Sequence, residues 1–132
     1  MSKELFWLTL TIAMTGLFWV PYILDRVASR GLMGAMGYPG PDDKPKAAWA
    51  VRQMKAHANA VENLAIFAPL VLTAHALGIA TATTALACAV YFWARLAHFV
   101  VYSFGLPVWR TLAFTVGFLA QATLVLAIFK LI

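Results

Sequence analysis

The chain predicts an all-α fold, an integral membrane up-down four-helix bundle, and three observations carry that prediction. Of its 132 residues, 63% are hydrophobic and 11% are charged, against roughly half apolar and a quarter charged in a soluble domain. Mean hydropathy is +0.81. The apolar residues gather into four stretches, each near the roughly 20 residues a helix needs to cross a bilayer core about 30 Å thick. Residues 1–132 are therefore read as a single transmembrane domain.

The first stretch predicts a helix over about 5–27. Leu5 to Leu24 is too long and too aromatic for a signal-peptide core, and no small-residue cleavage site leading into a polar chain follows it, so it is expected to stay in the membrane. Thr9, Thr11 and Thr15 are read as bonding back to carbonyls of their own helix. Next comes RGLMGAMGYPGPDDKP, residues 30–45, with four glycines and three prolines in sixteen residues. Such a composition breaks helices and predicts a loop.

A second helix is predicted from Lys46, with Pro45 leading into it, to about Leu77. It is long enough to carry a polar first part beyond the lipid, and Pro69 is expected to kink it. GIATATT is a short uncharged turn, so a third helix is predicted over about 81–104. Gly105 and Pro107 then break the chain, and a fourth helix follows over about 108–131. Two of the three connections are short, which makes successive helices antiparallel neighbours. Cys88, the only cysteine, excludes an internal disulfide and is read as a small buried core residue.

Charge predicts the orientation. Arg26, Arg30, Lys44, Lys46, Arg52, Lys55, Arg95 and Arg110 lie toward the side of the first and third connections, and only Lys3 and Lys130 lie toward the other. By the positive-inside rule the long loop is cytoplasmic and both termini are outside the cytoplasm. The formal charge of +5 is thus gathered on one face, where it suits anionic lipid or an anionic solute. Lys44 and Lys46 are read as lipid-facing, and no nucleic acid partner is expected.

The polar residues inside the apolar stretches are the candidate site. At about 100° per residue, Arg52, Lys55, Asn59, Glu62 and Asn63 share an arc of about 100° on the second helix, and His57 points elsewhere. In YFWARLAHFVVY, residues 91–102, Tyr91, Arg95, His98 and Tyr102 share an arc of about 60°. On the fourth helix Arg110, Phe114, Gly117 and Gln121 repeat the idea, with Gly117 permitting close backbone approach. Counted from the turn at Gly78, Glu62 and Arg95 both stand about 24 to 26 Å deep. A carboxylate unpaired at that depth costs several kcal/mol, so Glu62 is expected to face Arg95 or another buried cation.

Such a pair is also good interhelical glue. Three polar stripes in one half of the bundle supply more hydrogen-bonding capacity than glue requires, and a polar cavity is the simpler account. His57 reads as a helix-surface or interface histidine and His75 as interfacial. The five tryptophans read as interface anchors or lipid-facing bulk. The three histidines make no facing pair for a haem, and no metal site is expected.

These residues resemble the MAPEG superfamily, membrane-associated proteins in eicosanoid and glutathione metabolism. KAHANAVENLAIF matches its helix 2 motif at His57, Asn59, Glu62 and Asn63, with Lys55 in place of an arginine. A second signature is carried by Ala94, Arg95, His98 and Tyr102, followed by Arg110. The resemblance covers nearly the whole chain. It implies a microsomal glutathione transferase-like protein of bacterial type in the inner membrane: a homotrimer binding glutathione as co-substrate at subunit interfaces near the cytoplasmic face, and hydrophobic electrophiles or lipid hydroperoxides as second substrates.

Carried over by position, the resemblance implies contacts to the tripeptide from Asn59, Glu62, His98, Tyr102 and Arg110, with Arg52, Lys55 and Arg95 beside them. Glu62 is implied toward the ammonium end and Arg110 toward the sulfur, held as thiolate. Arg26 or Arg30 is implied as a further cation. Ala58 and Ala60 depart from the family, since several relatives carry an arginine and an aspartate there, and Phe114 stands where some have tyrosine. One branch of the family binds lipid and a partner without catalysis, and that alternative stays open. A proton-coupled exporter would want an acid buried in the first helix, and none lies between Glu4 and Asp25.

Overall fold

The computed structural model describes residues 1–40 and 46–132. Among them the chain is helical with no strand: α1 (Lys3–Leu17), α2 (Trp19–Met36), α3 (Ala48–Ala76), α4 (Ala82–Ser103) and α5 (Pro107–Ile128). Phe18, in the right-handed helical region, is the C-cap of α1 and the N-cap of α2, so the two form one rod. That rod, α4 and α5 are each long and apolar enough to cross a membrane. The protein is a multi-pass membrane protein. α3 is 29 residues long, but Arg52, Lys55 and Glu62 make its first half polar.

The first rod departs from the predicted end near Val27 and runs on to Met36. Gly31, at φ 70°, interrupts the helical geometry, a backbone region a side chain would strain. Beyond it the carbonyls of Ala35 and Gly37 accept from the Arg26 guanidinium, which caps a last turn the glycine-rich composition hid. Asp25 Oδ2 accepts from Ala47 N at 3.3 Å and ties the start of α3 to α2. α3 therefore begins at Ala48 rather than Lys46, and Pro45, like Lys44, lies outside the described residues. α3 continues through Pro69 as one helix.

α1 and α5 each pack on both α3 and α4, while α2 packs on α3. Two apolar clusters fill the bundle. Leu8, Phe67, Val71, Cys88, Tyr91 and Leu124 make the larger, with the Phe67 and Tyr91 rings stacked at 3.7 Å. Phe18, Ala56, Ala60 and Phe99 make the smaller, toward the loop side, with Phe18 stacked on Phe99 at 3.9 Å. Cys88 is a buried core residue, as expected.

The two short turns are built locally. Thr81 caps α4 with a reciprocal pair of side-chain bonds to Thr84. Thr84 Oγ1 also donates to Glu4 Oε1 at 2.6 Å, so a carboxylate in the first turn of α1 also meets the first turn of α4. Both helix N-termini favour a negative charge there. At the other turn Gly105, at φ 72°, lets the chain reverse from α4 into α5, with Leu106 N bonded back to Val101 O at 3.1 Å.

Candidate functional site

The polar stripe of α3 divides along its length in angle rather than in depth. Arg52, Asn59 and Asn63 are half-buried and turn inward, whereas Lys55 and Glu62 are exposed. Lys55 and Glu62 sit about 40° to 100° around the helix from the inward three by the 100° rule. A stripe that wide straddles the boundary between the bundle interior and its outer face.

This division overturns the expected pairing of Glu62 with Arg95. Arg95, 2% exposed, donates through Nη2 to Asn59 Oδ1 at 2.5 Å. Glu62 makes no ion pair or hydrogen bond among the described residues. Glu62 lies within a turn of Asn59 along α3 but points about 60° away from it around the helix, and the inward position takes the guanidinium. Asn63 Nδ2 donates to Asn59 O at 2.9 Å, and Gln121 Nε2 donates to Asn63 O at 3.2 Å. α3, α4 and α5 are thereby joined through one part-buried polar network. The Cβ that Gly117 lacks would lie 3.6 Å from Arg95 Cδ, an ordinary contact distance, so α5 packs directly against the arginine stem there.

The polar face of α4 is where the stripe predicted it. Tyr91, Arg95 and His98 are buried at 1%, 2% and 3% exposure. The His98 ring meets Tyr102 edge-on at 5.5 Å and lies 6.3 Å from Phe114. Arg95 Nε and His98 Nδ1 are buried without a hydrogen-bond partner.

Toward the loop side, Arg52, Lys55, Tyr102, Gly105, Leu106, Pro107 and Arg110 line a cavity of about 360 Å³. Among the described residues three cations and no acid face it. The guanidinium carbon of Arg110 lies 4.8 Å over the centre of the Tyr102 ring, a cation–π contact that holds the charge in place while leaving its N–H groups to donate. Arg52 Nε donates to Ser103 O at 2.8 Å, satisfying one of the carbonyls left open at the end of α4. Gly105 lies directly beside that guanidinium, a Cβ there standing 3.4 Å from Arg52 Nε.

The structure thus brings Arg52, Lys55, Tyr102 and Arg110 together, with Asn59, Arg95 and His98 stacked deeper in the bundle. It does not bring Arg26 to the cavity: its guanidinium is held by the carbonyls of Ala35 and Gly37. Glu62 also stands apart, on the outer face. His57 is at an interface between helices, its Nδ1 2.9 Å from Tyr22 Oη. Among the described residues no cluster of His, Cys, Asp or Glu could hold a metal.

Sequence reasoning missed Leu106 and Pro107 in the cavity wall, and Gln53 beside it. Gln53 follows Arg52 directly and is 9% exposed. Leu106 and Pro107 read only as punctuation.

A model of the MAPEG family matches residues 5–130, nearly the whole chain and both motifs. No curated protein and no solved structure matches.

Proposed function

Because the chain belongs to the MAPEG family, whose members work in membrane-associated eicosanoid and glutathione metabolism, we propose that it is a glutathione transferase or peroxidase of the microsomal, bacterial type. The observation that carries this reading is the cavity faced by Arg52, Lys55 and Arg110 and, among the described residues, by no acid. Glutathione is a net anion near neutral pH. A thiol of ordinary pKa about 8.5 becomes mostly thiolate if a neighbouring guanidinium lowers it by about 2 units, worth about 2.7 kcal/mol. Arg110 supplies that charge without losing its own proton. Arg52, Lys55, Asn59, Arg95, His98 and Tyr102 hold the rest of the tripeptide.

The chemistry follows from the thiolate. The thiol proton goes to water, the sulfur attacks an electrophilic carbon, a C–S bond forms and a leaving group such as halide departs with the bonding pair. With a hydroperoxide the sulfur attacks the terminal oxygen and the O–O bond breaks. The alkoxide takes up a proton, and the sulfenic acid reacts with a second thiol to give disulfide and water. Hydrophobic second substrates concentrate in lipid and reach the cavity from the membrane.

Glu62 supports assembly as a homotrimer. A carboxylate on the outer face near the edge of the hydrocarbon layer is poorly placed against lipid, and a neighbouring copy that closes the outer face of α3 gives it a polar surrounding. There Glu62 meets the ammonium end of the tripeptide, and Arg26, once released from its loop carbonyls, serves a neighbour's site. In this reading all four rods cross a bacterial inner membrane, with both termini outside the cytoplasm and a role in detoxification.

The test is the ultraviolet thiolate absorbance of glutathione added to purified protein, followed by turnover with an aryl halide and an alkyl hydroperoxide. A thiolate band and turnover with either acceptor support the reading. The alternative, a noncatalytic lipid-binding or scaffold member, draws on the aromatic groove beside the cationic cavity. An intact assembly without thiolate or turnover would favour it.

A further inference from the structure

A second cavity, of about 430 Å³, opens between α3 and α4 beside the cationic one. Trp49, Phe99, Val100 and Phe104 supply apolar walls, and Arg52, Gln53 and Ser103 supply the polar end. Its size falls within the roughly 300–1,000 Å³ of small-molecule sites. At 1.5 Å per residue, Gln53 stands about 35 Å along α3 from Ala76 and Phe99 about 26 Å along α4 from Ala82. The cavity therefore straddles the edge of a hydrocarbon layer about 30 Å thick. Its outer rim, Val100 and Phe104, is 43% and 74% exposed.

The polar end has unmet demand. Ser103 is already engaged, its carbonyl taken by Arg52 Nε and its hydroxyl donating to Phe99 O at 2.7 Å. Gln53 is not: Oε1 is buried with no hydrogen-bond partner. A carboxamide offers an NH2 group that donates and a carbonyl oxygen that accepts, and leaving that oxygen unmet in a buried place costs free energy. The complement of such a group is a head carrying an O–H beside an oxygen acceptor. Arg52, in the wall of both cavities, adds donors for that second oxygen.

We propose that the groove between α3 and α4 binds a single-chain amphiphile with a hydroxylic head, its chain on Phe99, Val100 and Phe104 and its O–H read by Gln53. A lipid hydroperoxide and a monoacyl glycerol-type lipid share this chemistry. The site does not depend on glutathione binding, and failure of the tripeptide to bind leaves it standing. If the tripeptide does bind, Arg52 sets the amphiphile's head against the cavity that holds it.

The experiment uses the purified full chain in detergent and the quenching of tryptophan fluorescence by a brominated long-chain alcohol and by its methyl ether. The alcohol is expected to quench saturably and to bind about tenfold more tightly than the ether, the effect of leaving one buried polar group unmatched. Trp49→Phe should lose the saturable component. Gln53→Leu should bring the two probes within about threefold of one another. Should Gln53→Leu fail to fold, Val100→Trp, at the exposed rim, should block both probes. An alkyl hydroperoxide and a lysophospholipid, each tested as competitor, identify the source by which displaces the alcohol more strongly. Equal binding of alcohol and ether, a preference that survives Gln53→Leu, quenching unchanged in Trp49→Phe or Val100→Trp, or displacement by neither competitor would overturn the assignment. Absence of any saturable quenching, as when a second copy covers the groove, would do the same.

Discussion

Glu4 and Glu62 are carboxylates toward opposite faces of one bundle, and the chain treats them in opposite ways. Glu4 is 5% exposed and accepts from Thr84 where two helix N-termini meet, so its charge is answered within the chain. Glu62 is exposed and has no partner among the described residues. The half of the bundle around Glu4 is self-sufficient, while the half around Glu62 holds more charge than its own fold uses. The difference separates polar groups that build the bundle from those left for something else to meet.

The largest expected effect tests the second half. Arg110→Ala should lower the rate of glutathione conjugation to an aryl halide at pH 7 by about 25-fold, the drop in thiolate fraction when a shift of about 2 pKa units below about 8.5 is removed. Size-exclusion profile and helical circular dichroism should not change. Next comes the self-sufficient half. Glu4→Ala removes a charged hydrogen bond and should destabilise the bundle by about 2 kcal/mol, read as thermal unfolding in detergent, with glutathione affinity unchanged. An unaltered melting curve would break the contrast at its firmer end.

Glu62→Gln should do the reverse. Unfolding of the single chain should move by less than about 0.5 kcal/mol, as for a surface change, while glutathione affinity falls about tenfold through loss of a charge-assisted bond to the ammonium. If stability fell and affinity held, Glu62 would belong with Glu4. The smallest effect concerns the outer turn alone. Thr81→Ala removes the cap of α4 and should cost about 1 kcal/mol without touching turnover.

The helices were legible because length, apolar density and Gly/Pro punctuation are local properties. Each boundary from α3 to α5 falls within about three residues of its reading. The first rod was the exception. Its last turn depends on Arg26 reaching carbonyls nine and eleven residues on, a contact that glycine-rich composition conceals. The inward set Tyr91, Arg95 and His98 was legible because a helical arc decides which residues share a face. The partner of Arg95 was not, because an arc of about 100° does not say where the neighbouring helix cuts it, and Asn59 rather than Glu62 lay on the inner side. Gln53 needed the structure, since only packing shows that its carboxamide is closed in.

Titration calorimetry of glutathione into the detergent-solubilised protein tests the central claim most directly. A saturable heat of binding, strongly reduced in Arg110→Ala and weakened by salt as the three cations of the cavity require, is the expected result. No heat of binding from an intact, helical, assembled protein would contradict the account.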